Sequence, residues 1–328
     1  MSWAERIASG APPGLAGFHA WQVERWPRLR EAIEGLPEVR TRTIDLPDRP
    51  ATVQFNPGRT ASSTASVDAS SVAARPCFLC PENLPAEEQG LAFGADLVVL
   101  ANPAPIGPLH FVVAQRAHRP QALQPVLDDA VALAVAFPEV AVFYNGPRCG
   151  ASAPDHIHLQ AIGRGVMPDE ERFSEALRRN RDPAPPLARS GTLRTWYDQR
   201  LRTTLYLAGP PASVAAGVRD AVAALAEVTE TDEEPMLNLV LASVGDRLGA
   251  LLYPRGAHRP ACYFAPDPER CLVSPGAVDM AGGVIAVREI DFGRLDAGRL
   301  TTIFAETSLS PAAARRWEGA LARRLSDA

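Results

Sequence analysis

The chain of 328 residues reads as α+β: an antiparallel sheet flanked by helices, laid down in two similar halves. Three observations predict this. Apolar runs of strand length bounded by Gly and Pro recur through the first half, as in "DLVVLANP", "LHFVVAQRAH", "EVAVFYNG" and "DHIHLQAIG". One helix-spaced stretch, "PQALQPVLDDAVALAVAF", sits among them rather than between every pair, the mixed order of an α+β protein. Beyond residue 166 the order returns: strand ("TTLYLAG"), helix ("SVAAGVRDAVAALAEV"), strands ("MLNLVLAS", "LGALLYPRGAH"). An apolar run leads into Ala-His-Arg-Pro in each half, ending at Pro120 and at Pro260, an echo that predicts an internal duplication.

The elements follow in order. Residues 1–50 form an N-terminal helical extension, since in "FHAWQVERWPRLREAIEGL" Trp21, Trp26, Leu29 and Ile33 can share a face, with Pro27 breaking or kinking it. Residues 51–166 form the first half. It opens on the strand-like "ATVQFNP", continues through the Ser/Thr/Ala-rich loop "GRTASSTASVDASS", and reaches Cys77 and Cys80 in "RPCFLCPENLP". The charged, Pro-rich segment 167–190 is a connection, and 191–328 is the second half.

Composition narrows the chemistry. The net charge is −5 with no basic block, so nucleic acid is not the expected partner. No apolar run has membrane-spanning length. The opening "MSWAERIASGAPPG" mixes charges without an apolar core, which predicts no secretory signal and a cytoplasmic protein. All 33 basic side chains are arginine. A lysine nucleophile or a Walker A lysine is therefore excluded, and a covalent intermediate would need another side chain.

That side chain is offered by "CGASAPDHIHLQA", residues 149–161. On a strand, His156, His158 and Gln160 point to one face, so two imidazoles and an amide would meet one site. An imidazole held by a hydrogen bond to one nitrogen can attack phosphorus with the other. The Gly/Pro-rich turn before it supplies backbone N–H groups and the Ser152 hydroxyl for an anionic phosphate, and Arg148 could add charge. The five cysteines predict no disulfide framework. Cys77 and Cys80 form a CxxC, half of a zinc site or a redox pair. A zinc site needs two more ligands, from His110, His118, His156 and Cys149. Cys262 and Cys271 read as apolar fillers.

In their order and spacing, "CFLCPEN", "LANPAPIGPLHFVVAQRAHRPQAL" and "NGPRCGASAPDHIHLQ" resemble the histidine-triad superfamily. Within it the chain is similar to the branch of galactose-1-phosphate uridylyltransferase, Ap4A phosphorylase and the GDP-hexose phosphorylases. The resemblance covers residues 50–165 well and the second half loosely, as a degenerate repeat. It implies a nucleotidyltransferase or phosphorylase acting on a nucleotide sugar or dinucleoside polyphosphate, with a phosphate or sugar-phosphate acceptor. His158 would be the nucleophile and Gln160 the holder of the nucleotidyl phosphate, with Ser152 and Asn102 contacting phosphate and nucleotide. A structural zinc would take Cys77, Cys80, His118 and His156, and relatives are often homodimers. A hydrolase using the same histidine, and a non-catalytic zinc-stabilised nucleotide-binding module, are the alternatives. The chain departs from the uridylyltransferase pattern at Asp155, which separates Pro154 from His156, and at Ile157 between the histidines. Gln54, Asn56 and Arg59 of "RPATVQFNPGR" are further candidates for phosphate or base contacts. In the second half, His258 and Arg255 either reach substrate or pack, and the Gly-rich stretch around Asp279 could approach a ligand.

Overall fold

A computed structural model describes residues 2–326. Its strands, in chain order, are β1 (Arg40–Ile44), β2 (Ala51–Phe55), β3 (Gly90–Phe93), β4 (Leu97–Ala101), β5 (Phe111–Gln115), β6 (Val140–Asn145), β7 (His158–Gly163), β8 (Pro186–Ser190), β9 (Leu193–Asp198), β10 (Thr204–Gly209), β11 (Leu237–Val244), β12 (Arg247–Pro254) and β13 (Gly283–Ala286). Ten of them make one sheet in the order β3-β4-β5-β7-β6-β11-β12-β10-β9-β8, antiparallel throughout. The order contains the duplication. Each half gives this sheet five strands with the last two exchanged in space, the second half starting at β8, inside the segment 167–190 that was expected to be only a connection. The halves meet edge to edge where β6 pairs with β11, Asn145 opposite Asn238. Each half also places a helix between its third and fourth strands, Leu127–Ala136 in the first and Pro211–Thr229 in the second.

The Ala-His-Arg-Pro echo is not part of this symmetry. His118 follows β5, the third strand of its half, whereas His258 follows β12, the fifth strand of its own. The true counterpart of β5 is β10. The tetrapeptide recurs by coincidence, and the repeat that it prompted is real on other grounds.

Alternation along the strands divides the molecule into layers. Leu97 and Val99 of β4, Leu159 and Ala161 of β7, and Leu239 and Leu241 of β11 face the two central helices and the C-terminal helix Pro311–Ser326. On the opposite face, Val98, Leu100 and Ala114 pack against Leu79, Leu84 and the CxxC segment. Further along that face, Phe143, Val240, Leu251 and Tyr253 pack against Phe173 and a second, three-stranded sheet. That sheet joins β1 and β2 to β13, which runs parallel to β2 from the far end of the chain. β1 thus belongs to the three-stranded sheet, although it lies within residues 1–50. A buried ionic cluster of Arg49, Asp48, Asp169 and Arg202 fastens the β1–β2 connection to the second half. Ahead of β1, helices Leu15–Arg25 and Pro27–Glu34 are divided at Trp26, with Pro27 at the first position of the second helix. There its missing N–H costs no hydrogen bond. No described helix is long and apolar enough to cross a membrane.

Candidate active site

β7 begins at His158, not at His156. His158 and Gln160 therefore share a face, as the period of two requires, while His156 lies in the bend before the strand and turns elsewhere. The line-up of two imidazoles and an amide on one site is thus corrected to one imidazole and the amide.

The start of β7 is held by a residue that the sequence did not single out. Gln121 accepts the His158 amide at 2.8 Å and donates to the carbonyls of Asn145 and His158 at 2.9 and 3.0 Å. His158 is 4% exposed, and its Nδ1 lies 2.9 Å from the His156 carbonyl. A carbonyl only accepts, so Nδ1 carries the proton and Nε2 keeps its lone pair. Burial pushes this imidazole down to about 4, which keeps it neutral.

Gln160 is oriented in the same way. Nε2 of the buried His110 lies 3.1 Å from Gln160 Oε1 and 3.3 Å from Asn102 Nδ2. Because the Ile106 amide donates to Nδ1 at 3.3 Å, Nε2 bears the proton, donates to Gln160 Oε1 and makes no hydrogen bond to the Asn102 amide. The carboxamide then presents its N–H donors away from His110. Burial pushes His110 down to about 3, consistent with a neutral donor. "PLH" at the head of β5 was the available signal for this role.

Both side chains line a cavity of about 500 Å³. Gly150, Ala151 and Ser152 form one wall of it, and Arg59, Asn102, His258, Arg259 and Asp279 also border it. Gly150 adopts φ 106°, and a Cβ there would come within 2.8 Å of Gly276 Cα. Glycine is thus needed both for the turn and for the close approach of the two segments. Amides in this turn, free of β-ladder bonds, suit an anion.

His156 belongs to a second cluster. Its Nε2 lies 2.7 Å from the Gln115 carbonyl, which leaves Nδ1 facing Cys77 Sγ at 3.3 Å and Cys80 Sγ at 3.7 Å. His118 Nδ1 is 3.3 Å from Cys80 Sγ. The four ligand atoms lie within 4.8 Å of one another. Two thiols and two imidazoles, one of them oriented by a carbonyl, fit a tetrahedral metal ion. Asp155, the residue that interrupts the uridylyltransferase pattern, pairs with Arg75 at 2.8 Å, and Arg75 lies over Phe78 inside the CxxC. It is a second tie between the same two segments.

A family model described as "Domain of unknown function (DUF4922)" matches residues 18–163. No curated protein sequence matches the chain. Among solved structures, yeast Ap4A phosphorylase Apa2 in complex with AMP superposes with a TM-score of 0.56 at 16% identity, over 88% of this chain and 97% of that one. The same yeast protein in complex with Ap4A gives 0.57 at 15% identity, over 89% and 97%. The fold is that of the Ap4A phosphorylase.

On that phosphorylase fold the remaining candidates divide. Asn102 lines the cavity beside His110, its Oδ1 accepting the Ala104 amide at 3.0 Å. Arg59 lines it while donating to the Ala104 carbonyl at 2.8 Å. Burial pulls this guanidinium down to about 10, so it stays cationic. Gln54 is turned away: its amide donates to the Ile106 carbonyl, and its Oε1 accepts from Asn56. Arg148 also lies outside the cavity, at the surface, beside Glu233 and the Glu234 carbonyl. Arg255 packs, whereas His258 reaches the cavity. The Arg255 guanidinium is buried and donates to Asn238 Oδ1 at 2.6 Å and to the carbonyls of Thr307, Pro275, Ala257 and His258. Asn238 in turn donates to Asn145 Oδ1 and to the Cys149 carbonyl. The second half thereby holds the turn that precedes the first half's histidines.

Proposed function

We propose that the chain is a nucleotidyltransferase or phosphorylase that works through a covalent nucleotidyl-histidine at His158. The observation that carries this reading is the state of that side chain: Nδ1–H on the His156 carbonyl, with Nε2 left for a cavity that also contains Gln160 and Ser152. Nε2 attacks the α-phosphorus of a nucleotide sugar or dinucleoside polyphosphate. The P–N bond forms as the P–O bond to the leaving phosphate or sugar phosphate breaks. The imidazolium so formed keeps its Nδ1 proton on the His156 carbonyl, while Gln160, Ser152, Arg59 and the turn amides hold the non-bridging oxygens. A phosphate oxygen of the second substrate then attacks the phosphorus, the P–N bond breaks and neutral His158 returns. Gln160 is a poor proton donor, which favours a phosphate acceptor over water. Zinc suits the four-ligand cluster and, when bound, cross-links the CxxC segment to the bend at His156. The protein's own part is to aim His158 from that anchored bend.

The test is intact-protein mass spectrometry after incubation with nucleoside diphosphate sugars and dinucleoside polyphosphates, without acceptor. An acid-labile nucleotidyl adduct forms on the wild type and is absent from His158→Ala. An adduct of equal yield on both proteins would overturn the mechanism.

A further inference from the structure

The floor of the cavity is a single row across the ten-stranded sheet. Register sets Phe143 beside Gln160, Gln160 beside Val112, Val112 beside Leu100 and Leu100 beside Gly90, and the first four line the cavity. At strand spacing, the row from Gln160 to Gly90 runs roughly 14 Å, the scale of a nucleoside monophosphate lying flat. The Gln160 end is the phosphate end. At the other end, Phe78, Leu79, Leu84 and Leu100 make an apolar wall, and Glu88 enters it from two residues ahead of β3.

Glu88 is 5% exposed and borders the cavity, yet its carboxyl hydrogen-bonds to no described residue. The charged groups around it are two arginines. Arg6 donates to the backbone carbonyls of Pro81, Leu84, Pro85 and Glu88 itself. Arg28 borders the cavity without forming an ion pair to it. Burial outweighs both cations and pushes the Glu88 carboxyl up to about 8, so it is protonated at neutral pH. A neutral carboxyl offers one donor beside one acceptor. The complement is the adenine edge: N1 accepts, N6–H donates, and the next atom is an apolar C2–H. Guanine, cytosine and uracil carry a third polar group on that edge. Among leucines it would lie unpaired, at a cost of roughly tenfold or more in affinity.

We propose that the Glu88 carboxyl reads the nucleobase in this cavity and selects adenine, an inference that rests on the nucleotidyl-transfer reading of His158. Calorimetric titration of AMP, GMP, CMP and UMP into the metal-loaded wild type, Glu88→Gln and Glu88→Leu tests it, with thermal melts to confirm folding. AMP binds the wild type most tightly. Glu88→Gln keeps a donor beside an acceptor and holds AMP affinity within about threefold, whereas Glu88→Leu loses about tenfold or more. Raising the pH from 7 to 9 removes the proton donated to N1. AMP affinity of the wild type then falls relative to Glu88→Gln, a ratio in which titration of the nucleotide phosphate cancels. Unchanged AMP affinity in Glu88→Leu overturns the proposal. So does preference for GMP that Glu88→Gln abolishes, since that is the signature of an ionised carboxylate reading two guanine donors. The adduct assay separates the two readings: a His158 adduct that ignores both the base and Glu88→Leu sinks the base assignment alone. No adduct and no nucleotide binding in the wild type sinks both.

Discussion

Between β6 and β7 the first half inserts residues 146–157; between β11 and β12 the second half needs Gly245 and Asp246. Otherwise the two halves share strand order, pairing direction and a helix between the third and fourth strands. Gly245, at φ 63°, closes a tight hairpin, which leaves no room for a phosphate-sized turn and no bend from which a metal ligand could project. The first half bends around Gly150 and sends His156 to Cys77, Cys80 and His118, and His158 to the cavity. The duplicate is still not idle. Its β11 supplies Asn238 and the end of its β12 leads into Arg255, and together they hold the first half's insertion. One scaffold is thus used twice, once to carry the loop that borders the cavity and once to brace it.

Four substitutions test that contrast. His158→Ala removes the proposed nucleophile, and transfer should fall by about a thousandfold or more, read as initial rate under saturating donor. Next comes the candidate metal cluster. Cys80→Ser should lose the bound metal, measured as metal per chain by elemental analysis. It should also lower the melting temperature by about 5 °C or more; a variant that melts like the wild type would mean that the cluster does not brace the fold. Arg255→Ala tests the brace from the other half. It strands Asn238 Oδ1 and four carbonyls and should cost about 3–5 kcal/mol in urea unfolding. The smallest effect is expected from Arg148→Ala, since its guanidinium is half exposed and turned to Glu233. Transfer should stay within about twofold of wild type, and a large loss would mean that this loop reorients when substrate binds.

Much of the candidate site's geometry was legible because it is local. The period of two placed His158 and Gln160 on one face, and CxxC spacing marked half of the candidate metal cluster, while its two histidines were singled out only by the family resemblance. Pro27 announced the break between the first two helices. What escaped the reading depends on partners distant in sequence. Gln121 looks like any residue after a proline until its amide is seen holding both ends of the loop before β7. His110 gains meaning from Gln160 on the neighbouring strand, and Glu88 from the apolar wall around it. Residue type suggested a phosphate contact for Arg148 and Gln54, while nearby acceptors draw both side chains away from the cavity.

Read alone, the sequence was enough for the alternation of strands, the α+β class and the exclusion of lysine chemistry. All of these are fixed by composition or by short repeating intervals. Only the tertiary structure decided that β1 and β2 pair with β13, that β6 and β11 join the halves, and that a histidine two residues from another faces a different site. Pairing between distant strands follows from burial of whole faces, and a side chain's direction at a bend follows from the partners waiting there. Neither is written in the interval between two letters.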